Sequence, residues 1–468
     1  MNPVTPTVRA FNFWQPLPAQ ASVFEQLWRL AVLAGLMMFL LMQVTGGIIR
    51  WLLPPAAYLP TLLMLGCVAS LLLVELITQR IHIGVVFLLA LLGFAFLIGV
   101  LSTPRIVQPI FALWVFVPVY FGMVAAPLAF QSHRYKSPIL LGLAILCAGG
   151  VVVHNSVAYP WVGLSYEVAG VEVAGAREWV AAGKQRLSGL ARSSFDVAGQ
   201  ILIFVSLVAV STRLLIWRLL LWGLGAYAIS LSTSKGVFLS LLMVVVTVEL
   251  LRYRGTLGMW GVRGVIGLGY VWLLVPPILG WSKDWTELAR TDIHHPLYGS
   301  FIDRMHDMWP RALELITEHG YFIFGRGLGG LGVPVGMFEP KLANAGDNLF
   351  VYLLVIFGVL AIPLMLLGLV VLLRMCSYLQ HSAIQQTLLL AVAVIWYGGV
   401  SNILEHAVMA LAFGMICRTI ASFLAGAFEP PADPIETHVH PVISDPALPH
   451  APIQQTASPL TLTDSDHH

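Results

Sequence analysis

The residues able to do chemistry crowd into one stretch. Between Trp281 and Asn348 stand Lys283, Arg290, Arg304, Arg311, Arg326 and Lys341, nine carboxylates, and His294, His295, His306 and His319. A guanidinium fork matches phosphate oxygens bidentately, so Arg304 and Arg311 are candidates for holding an anion, with Arg326 in reserve. The stretch closes on Asp347-Asn348. A carboxylate such as Asp347 can take the proton of an attacking hydroxyl, and Asn348 can orient a polar substrate. An Asp directly before an apolar run is equally an N-cap, worth about 1 kcal/mol. Upstream, Arg186 and Arg192 precede another apolar run; taken alone, each reads as an interface anchor with its stem along apolar surface. Their occurrence with the later arginines points to a shared anion site. His319 suits the dipole at a helix C-terminus and is a secondary substrate contact. His294 and His295 are adjacent and only His306 is near, short of three convergent zinc ligands, so no metal is expected.

The elements that must position these groups can be read nearby. From Phe301 to Gly320 apolar residues fall at 301, 305, 308/309, 312 and 316, which is helical spacing. Pro310 suits a first turn and Gly320 a stop. That helix lays Met305, Trp309, Ala312 and Ile316 on a packed face and puts Arg304 and Arg311, two turns apart, on another. A second helix is expected over about 174–190.

Charged residues make up only 10% of the 468-residue chain and hydrophobic ones 58%, against about 25% charged in soluble domains. Mean hydropathy is +0.85. The net charge of +2 and the scatter of basic residues argue against nucleic acid as a partner and leave the lipid bilayer. Cys67, Cys147, Cys376 and Cys417 all lie in apolar runs, where they read as core residues. A crossing needs roughly 20 apolar residues. Such runs occur near 28–48, 58–77, 82–101, 107–130, 137–156, 197–211, 214–232, 237–251, 259–280, 349–373, 385–404 and 407–427. The expected fold is an all-α polytopic membrane protein of about twelve transmembrane helices, one of the short sixth to eighth being broken or tilted. With both termini cytoplasmic, inner connections and flanks hold eleven Lys or Arg and the outer short connections three, the positive-inside bias. Two long loops, 157–196 and 281–348, then face outward: in a bacterial inner membrane, into the periplasm. Residues 1–27 form a cytoplasmic segment ahead of the domain 28–427. The Pro-rich stretch 428–468 reads as a disordered tail. Glu75, Glu249, Lys235 and His154 lie near span ends, so no midplane relay of the kind transporters keep is visible.

Four pieces of this sequence resemble the O-antigen ligase/polymerase superfamily, the Wzy-type polysaccharide polymerases and O-antigen ligases. Arg186-Leu-Ser-Gly189 followed by Ser194-Phe-Asp-Val-Ala198 is similar to its Arg-x-x-Gly and small-residue helix start. Ser232-Thr-Ser-Lys-Gly236 is similar to its Ser-Arg-Gly turn, with Lys235 where Arg is usual. Arg304, Trp309, Arg311-Ala312 and Phe324-Gly-Arg-Gly327 resemble its Arg…Trp…Ala…Gly-x-Gly loop. Gly346-Asp-Asn-Leu, closing on Gly358, resembles its His-Asn or Asp-Asn span start.

The resemblance implies a GT-C-like membrane enzyme, an inverting glycosyltransferase. It moves a glycan from undecaprenyl diphosphate to an acceptor sugar at the periplasmic face, without a cofactor or an obligatory metal. It also implies a flippase and a chain-length regulator of the same pathway as partners. Asp347, where ligases carry His, favours a polymerase of O-antigen or exopolysaccharide repeats over a ligase that loads lipid A core. On this reading Arg186, Arg304 and Arg311 hold the leaving diphosphate, Arg192 and Arg326 stand in reserve, and Asp347 is the base. A lipid-linked oligosaccharide flippase is the alternative of another class.

Overall fold

The computed structural model describes residues 23–77, 83–131, 136–168, 171–174, 176–181, 184–253, 255–281 and 299–428. Lys283, Arg290, His294 and His295, the first 22 residues and the tail from 429 onward lie outside them. The chain runs through α1 (Val23–Val44), α2 (Gly46–Leu52), α3 (Leu59–Ile77), α4 (Ile83–Ser102), α5 (Val107–Ala129) and α6 (Lys136–His154). After two small hairpins come α7 (Ser194–Ser211), α8 (Leu215–Leu231), α9 (Lys235–Arg252) and α10 (Thr256–Trp281). The remainder is α11 (Gly299–Asp303), α12 (Trp309–His319), α13 (Val333–Phe338), α14 (Leu349–Phe357), α15 (Ala361–Met375), α16 (Ser382–Gly398) and α17 (Ala407–Leu424). Among the described residues seven helices are long and apolar enough to cross a membrane, and four further apolar helices are shorter. The chain is a multi-pass membrane protein.

Helix association in lipid depends on close packing rather than on the hydrophobic effect, so small residues gather where helices touch. A Cβ on Gly122 would meet the Leu411 backbone, and one on Gly414 the Val119 backbone, which fixes α5 against α17. Ser240 Oγ donates to the Ala393 carbonyl at 3.0 Å, joining α9 to α16. Arg218 and Glu249 meet in a bidentate pair, both bonds 2.8 Å, which keeps two charges tolerable between α8 and α9. Cys67, Cys147 and Cys376 are buried and unpaired.

Interruptions fall outside the short spans expected to be broken or tilted. α7, α8 and α9 are each continuous, whereas the run from Leu349 breaks at Gly358, with φ 60°. A break in lipid frees backbone groups that must be satisfied internally. A Gly-rich loop supplies them: Arg326 N–H donates to the Val355 carbonyl at 2.6 Å, Gly327 N–H to Ile356 at 3.1 Å, and Val359 N–H to Phe322 at 3.2 Å. Gly325, Gly327 and Gly358 all have positive φ, and the backbones meet too closely for any Cβ. Gly325 and the Gly358 that closes the last motif are thus two halves of one packing contact, while Gly327 packs against Ala95 and Gly99 of α4.

Among the described residues of 174–190, where a helix is expected, none is helical. β1 (Ser165–Val168) pairs antiparallel with β2 (Val171–Ala174), and β3 (Val180–Ala181) with β4 (Lys184–Gln185). Three glycines, at 175, 183 and 189, outweigh the alanines that suggested a helix.

Gly414→Val should lower the thermal midpoint in detergent, overpacking costing about 1–3 kcal/mol. Gly142→Ala, with nothing within 4 Å of its Cβ, serves as the control. Equal midpoints would contradict the contact.

Candidate functional site

α11 and α12 form one continuous helix joined by a π turn at Arg304–Met308, and it stops at Gly320 as its sequence requires. Trp309, Ala312, Leu313 and Ile316 are buried, and Phe301 stacks on Trp272 of α10 with centroids 5.3 Å apart. The π turn fits extra residues into one turn and shifts the helix phase. Arg304 and Arg311 therefore do not share a face. Arg304 turns inward: its Nη2 and Nε donate to Asp347 Oδ2 at 2.9 and 3.2 Å, and its Nη1 to the Ser300 carbonyl at 2.8 Å. The side chains of this pair are 19% and 24% exposed. Arg311 is 69% exposed and spent on Asp307 one turn back, at 2.7 Å.

Asn348, not Asp347, caps α14. Its Oδ1 accepts from Val351 N–H at 3.0 Å, while its Nδ2 donates to the carbonyls of Leu273 and Gly399 at 3.0 and 2.9 Å. Fully buried with both amide protons used, it is a three-way tie between α10, α14 and the end of α16 rather than a substrate contact. Asp347 is thereby free for Arg304, and its carbonyl accepts from Trp309 Nε1 at 3.3 Å.

Arg186 arrives from the first long loop. Its N–H donates to the Trp179 carbonyl at 2.8 Å, extending the β3–β4 hairpin. Gly189, φ 57°, then tucks against Gly150 and Val151 where no Cβ fits. The guanidinium lies over the Phe195 ring, 5.0 Å from its centroid. Its Nε is buried without a hydrogen bond, and among the described residues no carboxylate lies within ion-pair distance. Half-burial, then the charge of Arg304, push it below the usual guanidinium range; Tyr397 and Asp347 partly offset them. Lys235 also lies in the field of Arg186, in the Ser232–Gly236 turn, where Gly236 packs against Val400 and Tyr397. Arginines from both long loops converge, with the Lys-containing turn beside them.

Sequence reasoning missed the short connection between α16 and α17, which completes the site. Glu405 Oε1 accepts from Val333 N–H at 2.9 Å and from Tyr352 hydroxyl at 3.4 Å. Burial, helped by the nearby charge of Asp347, raises its carboxyl to about 7. His406 follows it, bonded to Asp196 of α7. The connection holds no Lys or Arg, so a search led by arginines passes over it; two adjacent titratable residues on the same side as both long loops were the available signal.

Other candidates fall elsewhere. Arg326 is 1% exposed and donates to Glu339 at 2.6 Å and to the Gly330 carbonyl at 3.1 Å, so it braces its loop and is no reserve for an anion. His319, beside Glu318, lies roughly 22 Å along the helix from Arg304; it is not part of this site. Arg192 is half-buried and acts through its charge on Asp196. Among the described residues no group of three or more His, Cys, Asp or Glu is placed to hold a metal ion.

A separate cavity of about 530 Å³ is lined by apolar side chains and Tyr270, and none of the charged groups lines it. Its walls include Leu349, next to Asn348, and Leu404, next to Glu405, and reach Leu424 at the far end of α17. On α17 the lining runs from Phe413 to Leu424, a wall roughly 17 Å long.

Asn348→Ala should cost about 2–4 kcal/mol of stability, removing a cap and orphaning two buried carbonyls. Asp347→Asn, breaking a partly exposed pair, should cost about 1 kcal/mol or less. Thermal unfolding of both variants in detergent checks this, and equal losses would contradict the assignment of the cap. Compared with known protein families, curated proteins and solved structures, the chain matches none of them.

Proposed function

We propose that this protein is a polysaccharide polymerase of the inner-membrane type. In this reading it transfers a glycan from undecaprenyl diphosphate to the acceptor sugar of a second lipid-linked repeat, at the periplasmic face of a twelve-span, GT-C-like fold. The observation that carries the reading is the half-buried Arg186, with no carboxylate partner among the described residues, set beside the Arg304–Asp347 pair, with an apolar cavity bordered by Leu349 and Leu404 one residue along the chain from Asn348 and Glu405. A polyprenyl diphosphate has the matching parts: two phosphates for the guanidinium groups and a long apolar chain for the cavity. Preorganised cations at the place where the leaving diphosphate gains charge lower the barrier to breaking the glycosidic bond. Asp347, expected above as the base, is instead engaged by Arg304 and holds it in place, while Arg186, with no carboxylate partner among the described residues, is the stronger attractor. Asp347 stands where ligases of the resembled superfamily carry His, which keeps polymerase ahead of ligase.

The test is chain formation by purified protein in nanodiscs supplied with undecaprenyl-diphosphate-linked repeats. The wild type should give a ladder of products. Arg186→Ala should slow it by about 10²-fold or more, the usual loss for a preorganised charge donor, and Arg311→Ala should leave it within about twofold. Normal ladders from Arg186→Ala would sink the reading, as would failure of the wild type to extend any chain.

A further inference from the structure

A second hydrogen-bonded assembly touches the arginine site and is unused by the reading above. His406 Nδ1 lies 3.1 Å from Asp196 Oδ1, and its Nε2 lies 3.1 Å from Ser401 Oγ. Asp196 is itself fixed: Ser193, the N-cap of α7, donates its hydroxyl to Asp196 Oδ2 at 2.7 Å and accepts from Asp196 N–H at 3.1 Å. A carboxylate on Nδ1 places the ring's proton there, so Nε2 presents its lone pair to the Ser401 hydroxyl. Three side chains from two distant segments thus form one chain of donors and acceptors.

The assembly adjoins the anion site. The Phe195 ring that Arg186 covers also faces His406, with ring centroids 6.4 Å apart, and Tyr397 lies 5.8 Å away on another side. Next to Ser401, the Asn402 side chain is buried at 4% exposure, and neither atom of its amide makes a well-formed hydrogen bond, although the Tyr352 hydroxyl is near. The Tyr397 hydroxyl, facing Ser401, is buried in the same condition. Buried polar groups are rarely left so; a ligand rich in hydroxyls would satisfy them.

We propose that Ser401, His406 and Asp196 form the proton relay of the transfer, with His406 the proton acceptor and Asp196 its positioning residue. This rests on the glycosyl-transfer reading. The acceptor sugar's hydroxyl gives its proton to Ser401 Oγ as the Ser401 proton passes to His406 Nε2. The acceptor oxygen bonds to the anomeric carbon while the bond from that carbon to the diphosphate oxygen breaks. The electron pair leaves on the diphosphate, between Arg186 and Arg304. The imidazolium, opposite Asp196, then returns its proton to solvent.

The groups facing His406 set the pH dependence. Burial alone would pull the imidazole down. The hydrogen bond and charge of Asp196, with the charges of Asp347 and Glu405, carry it above its ordinary value. A ring protonated before the reaction cannot accept, so activity is lost as pH falls through that raised value, and removing Asp196's charge moves the loss to lower pH. Glu405, its carboxyl raised to about 7, also titrates and is separated by its own variant.

The experiment measures transfer rate against pH in nanodiscs, alongside binding of farnesyl diphosphate to the same preparations. His406→Gln should lose transfer by about 10²-fold or more while binding the diphosphate as the wild type does; Ser401→Ala should behave alike and serves if His406→Gln misfolds. Asp196→Asn should shift the acidic limb downward, and Glu405→Gln should retain a limb. Unchanged rate and pH profile in His406→Gln or Ser401→Ala, with binding intact, overturns the relay and leaves the transfer reading standing. A wild type that binds the diphosphate yet transfers nothing overturns both. Covalent capture of Ser401 by a fluorophosphonate would assign the chain to acyl transfer and overturn the relay.

Discussion

A guanidinium at the edge of a bilayer must either be neutralised by the protein or kept where something else can neutralise it, and the arginines here divide between the two. Arg326, fully buried, is matched by Glu339 and serves its loop. Arg218 is matched by Glu249 between two helices. Arg304 is matched by Asp347 but stays partly open. Arg186 has an aromatic face and no carboxylate partner among the described residues, although holding a charge half out of water is unfavourable unless a counter-charge arrives. That imbalance, placed beside the Arg304–Asp347 pair, is what the functional proposal depends on.

The framework is arranged to keep those few groups in register. Asn348 ties α14 to α10 and α16 with three buried hydrogen bonds, which sets Asp347 one residue upstream. Gly189 locks the segment after Arg186 against α6, and Trp161 Nε1 donates to its carbonyl at 3.3 Å. The Gly-rich loop repairs the broken span through backbone contacts alone. Irregular backbone is tolerated beside a membrane only where protein satisfies it, and here the glycines that permit it lie in the same short motifs as the arginines.

Much of this could be read in the residues. Low charge and long apolar runs announced the membrane, the spacing around Trp309 announced its helix, and the arginines of two distant loops pointed toward one place. What failed did so for local reasons. The phase of Arg311 depended on a π turn that periodicity does not report. The cap fell to Asn348 because its amide could reach three elements at once, which neighbouring sequence cannot disclose. The helix expected near residue 180 lost to its glycines. His406 and Glu405 escaped notice because their role comes from partners, Asp196 and Val333, that are far away in the chain.

The central claim is that Arg186 and Arg304 together face a diphosphate whose lipid chain descends beside Leu349 and Leu404. The most direct measurement is an experimental map of the protein in lipid nanodiscs with an uncleavable polyprenyl diphosphate analogue bound. The account predicts phosphate density within hydrogen-bonding distance of both guanidinium groups and chain density in the apolar cavity. Density for the diphosphate at any other place, or the two arginines turned away from one another around an empty site, would contradict it.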